Sequence, residues 1–188
     1  MLTLLECFEK LKKLPLAKTI IIKYEDDLAK IKFPYYMKVS LAEHKLEKKA
    51  VLKIENIEEA KSNYSNLKKQ FQKNPIIIQE QIQGVEMIIG LKEDKIFEKL
   101  LLIGFGGTNA EILKDIQFLA IPASKEEILE AVSSLKLYDT LHKRKKYAID
   151  KFIDLAYEVS KLNFKELDLN PVILTEDKAV IVDARGRI

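Results

Sequence analysis

The sequence predicts an α+β protein whose sheets run mainly antiparallel. Short β-branched and aromatic runs are mixed with amphipathic helical stretches, without the strict strand–helix–strand order that a parallel sheet requires. Several of these runs are joined by short polar turns, as hairpins are. Apolar residues make up 47% of the 188 and charged residues 32%, the mixture of a globular chain and not of a disordered one.

The elements follow in order. Leu2, Leu5, Phe8, Leu11 and Leu14 recur at helical spacing, so residues 2–13 read as a short amphipathic helix. AKTIIIKY reads as a strand, and FPYYMKVSLA as a second one opened by Pro34. After a charged connector, HKLEKKA, comes a third strand, VLKIEN. Asn56 then heads a helix marked by Ile57, Ala60, Tyr64, Leu67 and Phe71, with the asparagine as its N-cap. KNPIIIQEQI returns to extended structure until Gly84 breaks it. VEMIIGLKED turns at Glu93-Asp94 into KIFEKLLLIGFGG, a hairpin. AEILKDIQFLAIP mixes helical and strand character, and Pro122 with Ser124 favours a strand that ends there. Ser124 caps KEEILEAVSSL, whose Glu126 and Glu127 suit the positive end of the helix dipole. DKFIDLAYEVSKL forms another amphipathic helix, and a hairpin closes the chain. A boundary near residues 80–86 divides the chain into two lobes, 1–82 with its short leading helix and 83–188.

With 32 basic and 29 acidic side chains the net charge is only +3, which gives no electrostatic case for nucleic acid. The HKRKK run reads as a solvated face without an aromatic platform. Cys7 is the single cysteine, which excludes an intrachain disulfide and suits a reducing compartment. Glu6 and Glu9 interrupt the apolar start, so it does not read as a signal peptide, and no apolar run approaches the roughly 18 residues of a membrane helix. A cytoplasmic protein is expected.

The closing hairpin, ELDLNPVILTEDKAVIVDARGRI, sets polar residues inside apolar strands. Asp168, Asn170 and Val172 are two apart and should share one face. A turn centred on Glu176-Asp177 puts Asn170 across from Asp183, and Asp168 across from Arg185. Cross-strand Cβ atoms lie about 5 Å apart. Two carboxylates and an amide oxygen then converge where a hard cation such as Mg²⁺ could be held, with Arg185 placed to bind a phosphate or pair with an acid. The alternative is an exposed sheet edge decorated with charge.

GVEMIIGLKEDKIFEKLLLIGFGGTNAEILKDIQFLAIP, ELDLNP and VDAR resemble the ATP-grasp β subunit of ADP-forming acyl-CoA (acetyl-CoA) synthetases, relatives of succinyl-CoA synthetase. The resemblance runs from about residue 15 to the end. It implies the ATP-grasp fold, two α+β lobes with the nucleotide cleft between them, and a hetero-oligomer with a CoA-binding α subunit. The activity it implies converts acyl-CoA, ADP and phosphate to acid, CoA and ATP through a phosphohistidine. By position, Asp168, Asn170 and Asp183 match the Mg²⁺ ligands. Lys38 matches the strand lysine that contacts the phosphates of ATP or ADP. Backbone groups near Glu80 and Ile82 would read adenine, and Glu86 would hold the ribose hydroxyls. Gly106 and Gly107, with Glu111 nearby, match a Gly-rich turn on the phosphoryl path. His44 in the HK dipeptide matches the histidine proposed to relay the phosphoryl group. His142 has no counterpart and reads as a surface residue.

Two segments depart from the family pattern. The family has a Gly-Gly pair after its HK, whereas HKLEKKAV has no glycine, and Arg144 is followed by Lys145 where the family has glycine. Without those glycines close backbone approach to phosphate is harder. Two other functions therefore stay open: a carboxylate ligase that makes an acyl-phosphate directly and needs no His44, and a non-catalytic regulatory or scaffold subunit.

Overall fold

The computed structural model describes all residues except 42–50, 108–113, 144 and 145. His44 and Glu111, and the side chain of His142, lie outside the described residues. The chain divides into two compact units. The first comprises Met1, Thr3–Leu5 and Ala17–Ile82; the second comprises Leu2, Glu6–Leu16 and Gln83–Ile188.

The first unit holds a four-stranded antiparallel sheet of β1 (Thr19–Ile22), β2 (Tyr35–Val39), β3 (Val51–Ile54) and β4 (Ile76–Glu80), in the order β1-β4-β2-β3. Met37 pairs with Ile78 and Val39 with Ile76, so these side chains share one face. Against it pack Ala60, Tyr64 and Leu67 of α2 (Ile57–Gln70) and Leu28 of a 3₁₀ turn at Glu25–Lys30. Asn56 caps α2 as its sequence position implies, its Oδ1 accepting the Glu59 N–H at 2.9 Å.

One polar atom in this core stands out. Tyr35 is 1% exposed and stacks on Phe33 with ring centroids 4.9 Å apart, and its hydroxyl has no hydrogen-bond partner among the described residues. Burial pushes its phenol up to about 12. A buried hydroxyl without a partner costs about 1–3 kcal/mol. Tyr35→Phe is therefore expected to stabilise the chain by about 1 kcal/mol, read as a higher urea midpoint. A lower midpoint would mean that the hydroxyl is bonded in solution.

The second unit is built on a six-stranded antiparallel sheet. Its strands are β5 (Val85–Asp94), β6 (Glu98–Phe105), β7 (Ile116–Ala120), β8 (Glu166–Leu174), β9 (Ala179–Ile181) and β10 (Arg185–Arg187), with the order β10-β8-β5-β6-β7 and β9 on β8. Met87, Ile89, Leu91, Leu101 and Ile103 form its buried face. That face is covered by α3 (Lys125–Ser133) and α5 (Ile149–Ser160), the latter contributing Phe152, Leu155, Ala156 and Val159. A four-residue α4 (Thr140–Lys143) lies between them in sequence. Ser124 and Glu127 close the expected capping box on α3. No helix among the described residues is long and apolar enough to cross a membrane.

Three details differ from the sequence reading. The leading helix α1 (Leu4–Lys10) is shorter than residues 2–13 and gives way to a turn at 11–13 ahead of Pro15. Most of the leading segment belongs to the second unit: Leu2 N–H donates to Gly186 O at 2.8 Å, and Ile181 N–H to Pro15 O at 2.9 Å. Finally, β5 runs through Glu93-Asp94. The turn comes after them, because Asp94 Oδ1 accepts the N–H groups of Ile96 (2.8 Å) and Phe97 (3.0 Å). These two hydrogen bonds hold the Asp94 carboxyl below the usual range.

Candidate functional site

The closing hairpin sets the geometry of the second unit. Val172 pairs with Ile181 and Leu174 with Ala179, the register of a turn at Glu176-Asp177. Beyond a gap, Arg185 pairs with Asp168 and Arg187 with Glu166 in that same register. Val182 N–H bonds to Pro171 O at 3.1 Å inside the gap, so the register is continuous and Asp183 stands opposite Asn170.

On its other side β8 carries a bulge. It pairs Val172 with Met87 but Leu169 with Ile89, which leaves Asn170 and Pro171 together opposite Ile88. Proline suits this place because it has no N–H to give the ladder, and a bulge changes which way the following side chains face. Asp168 and Asn170 accordingly face outward, whereas Val172 and Leu174 are fully buried on the core face beside Met87. The expectation that Val172 shares a face with Asp168 and Asn170 is thus corrected.

The outward face has an apolar floor. Ile88 and Gly90 of β5, Leu102 of β6 and Phe118 of β7 line a cavity of about 360 Å³, with Asp168 and Asn170 at its polar edge. Asp183 Oδ1 accepts the Ala184 N–H at 3.0 Å, and its Oδ2 lies 3.9 Å from Arg185 Nη2. Two carboxylates and an amide supply only hard oxygen donors, the chemistry that Mg²⁺ prefers. No group of three or more histidine, cysteine, aspartate and glutamate side chains is gathered for a metal among the described residues. The candidate set is of another kind, with an amide as its third donor.

Glu86, Gly106 and Gly107 come together at one end of the same face. Gly106 N–H donates to Glu86 O at 2.7 Å. Gly107 adopts φ +77°, and a β-carbon there would collide with Glu86 Oε2. The positive φ is what requires glycine here, since the flexible Glu86 carboxylate could swing aside.

In the first unit Lys38 lies on the face away from α2 and is only 8% exposed. Its Nζ donates to Gln79 Oε1 at 2.7 Å; Gln79 Nε2 donates to Thr19 Oγ1 at 3.1 Å, and that hydroxyl to Ala17 O at 2.9 Å. Gln79 is the residue the sequence reading missed. The signal was there: an uncharged polar side chain inside the IIIQE run, one strand from the lysine. Glu80 is tied to the edge strand, with its Oε1 accepting the Lys18 N–H at 2.8 Å and its own N–H donating to Lys18 O at 3.1 Å. Its N–H is thus engaged with the edge strand, and Ile82 lies just past the end of β4.

Cys7 is buried in the second unit, and its thiol is pushed up to about 11, first by burial and then by the charges of Asp183 and Glu6. A protonated thiol is a poor nucleophile. Cys7 is expected to react with a thiol reagent at pH 8 only after the chain is unfolded in urea. Rapid labelling of the native chain would show that α1 opens readily.

The ATP-grasp domain model matches residues 10–188. The chain is 31% identical to the β subunit of Pyrococcus furiosus ADP-forming acetate–CoA ligase I, over 94% of this chain and 86% of that one. It is an ATP-grasp protein of the ADP-forming acyl-CoA synthetase β-subunit family. The Archaeoglobus fulgidus ADP-forming acetate–CoA ligase II is also 31% identical over 90% of this chain, which spans only 27% of that longer protein. An acetyl-coenzyme A synthetase 1 from Ca. Korarchaeum cryptofilum superposes with a TM-score of 0.80 at 25% identity, covering 97% of this chain and 89% of that one. That protein was solved with coenzyme A and Mg-AMPPCP, its phosphohistidine segment pointing towards the nucleotide-binding site. The ATP-grasp fold accounts for the two α+β units and their antiparallel sheets.

Proposed function

We propose that this chain is the nucleotide-binding subunit of an ADP-forming acyl-CoA synthetase, acting with a separate CoA-binding α subunit. The observation that carries the reading is the grouping of Asp168 and Asn170 on the outward sheet face with Asp183 opposite Asn170. It is supported by relatives named as β subunits of ADP-forming acetate–CoA ligases. In this reading the acyl-CoA chemistry falls to that partner.

In this reading Asp168, Asn170 and Asp183 would hold Mg²⁺, which would supply positive charge against the negative charge of phosphoryl transfer. Lys38, whose ammonium is held by Gln79, would contact the phosphates. Glu86 takes the ribose hydroxyls, and the groups near Glu80 and Ile82 take adenine. The terminal oxygen of ADP attacks the phosphorus of a phosphohistidine, forming an O–P bond as the N–P bond breaks, and the bonding pair returns to the imidazole nitrogen. His44 relays the group from the partner subunit.

The chain co-purified with its partner and incubated with labelled ATP is expected to take up acid-stripped, base-stable label that His44→Ala abolishes. Label that survives the substitution removes His44 and leaves the partner's histidine acting directly on the nucleotide. The glycine-free HKLEKKAV segment favours a second reading, a non-catalytic subunit. No heat on titrating Mg·ADP into the chain would decide for it.

A further inference from the structure

We propose that Arg185 is the resident counter-charge of the Asp168–Asp183 pair and makes cation binding at this site depend on a nucleotide. This inference rests on the metal-site reading above. Arg185 pairs directly with Asp168 across β8 and β10, and its Nη2 lies 3.9 Å from Asp183 Oδ2. The guanidinium thus faces Asp183 from the strand position directly across from Asp168, on the same face of the sheet. It is also sheltered: the side chain is 15% exposed and that of Asp183 29%. The buried thiol of Cys7 feels the charges of both Asp183 and Arg185, which places the pair against the leading segment and away from full solvent screening. Leu2, bonded to Gly186 O, helps to close that side.

Two carboxylates converging without a cation repel each other. An arginine stays charged at every physiological pH, so here it offsets one of the two negative charges permanently. A free divalent cation then meets a site of net charge −1 instead of −2, and is held less tightly. The phosphates of ADP bring the missing negative charge. They also offer the guanidinium oxygen atoms that it binds well, which relieves its hold on the acids. Magnesium alone binds weakly under this scheme, and magnesium with ADP binds tightly.

The test is calorimetric titration of Mg²⁺ into the whole chain, with and without ADP, for wild type, Arg185→Gln and Arg185→Lys. Arg185→Gln is expected to tighten binding of Mg²⁺ alone by about tenfold and to shrink the gain that ADP gives. Arg185→Lys, which keeps the charge, stays closer to wild type. Melting midpoints give a second readout: the glutamine variant melts below wild type in magnesium-free buffer, and added Mg²⁺ narrows the gap. Arg185→Met, which keeps the apolar stem, takes the place of glutamine if that variant does not fold. Unchanged or weaker Mg²⁺ binding in the neutral variants overturns the proposal, as does a melting gap indifferent to Mg²⁺, which marks a purely structural arginine. Wild type that fails to bind Mg²⁺ even with ADP is a different result: it removes the metal site itself, and this role with it.

Discussion

Asp183→Ala is expected to weaken Mg·ADP binding by at least about 100-fold while the protein remains folded. Losing even an outer partner of a metal ligand costs 10–100-fold in affinity, and Asp183 is placed as a ligand itself. It lies in the gap between β9 and β10, where its carboxylate accepts the adjacent Ala184 N–H and faces Arg185 at 3.9 Å. Removing it therefore takes away a charge without opening a packed core. Calorimetry of ADP with and without Mg²⁺ separates the terms: the Mg²⁺-dependent part should vanish and the part due to ADP itself should persist. An Asp183→Ala chain that binds Mg·ADP like wild type would return the hairpin to a charged sheet edge.

Phe152→Ala should have the largest effect on stability, a loss of about 3–5 kcal/mol. Phe152 is fully buried on α5, the helix that packs on β5 beneath the outward face. Truncation removes the ring's transfer free energy and leaves a cavity that close-packed neighbours fill only in part. Globular chains are stable by only about 5–15 kcal/mol, so the urea midpoint should fall steeply. Leu129→Ala on α3, 44% exposed, is the control and should shift stability by no more than about 0.5 kcal/mol. A loss at Phe152 no larger than at Leu129 would show that α5 is not packed on the sheet in solution.

What the sequence made legible was local chemistry. Asn56 and Ser124 announce their helices because capping needs only a side-chain oxygen within one turn. The register of the closing hairpin followed from its turn, because antiparallel pairing propagates from the loop. What stayed hidden depends on a third strand or a distant segment. The reversal of Val172 comes from the pairing of β8 with β5, seventy and more residues earlier in the chain, and Pro171 hints at it only as a residue unfit for a ladder. Gln79 takes its meaning from Lys38 on the neighbouring strand. The placement of Glu6–Leu16 with the second unit follows from partners at Ile181 and Gly186, at the far end of the sequence.

The doubled residue opposite Ile88 gives β8 a division of labour. Upstream of it, side chains at even positions are free to change for the sake of ligand chemistry, since none of them fills the interior. Downstream, the same parity belongs to the interior and tolerates little but hydrocarbon. Deleting Pro171 would therefore do more harm than any point substitution nearby, because it would turn one half of the strand inside out against the other.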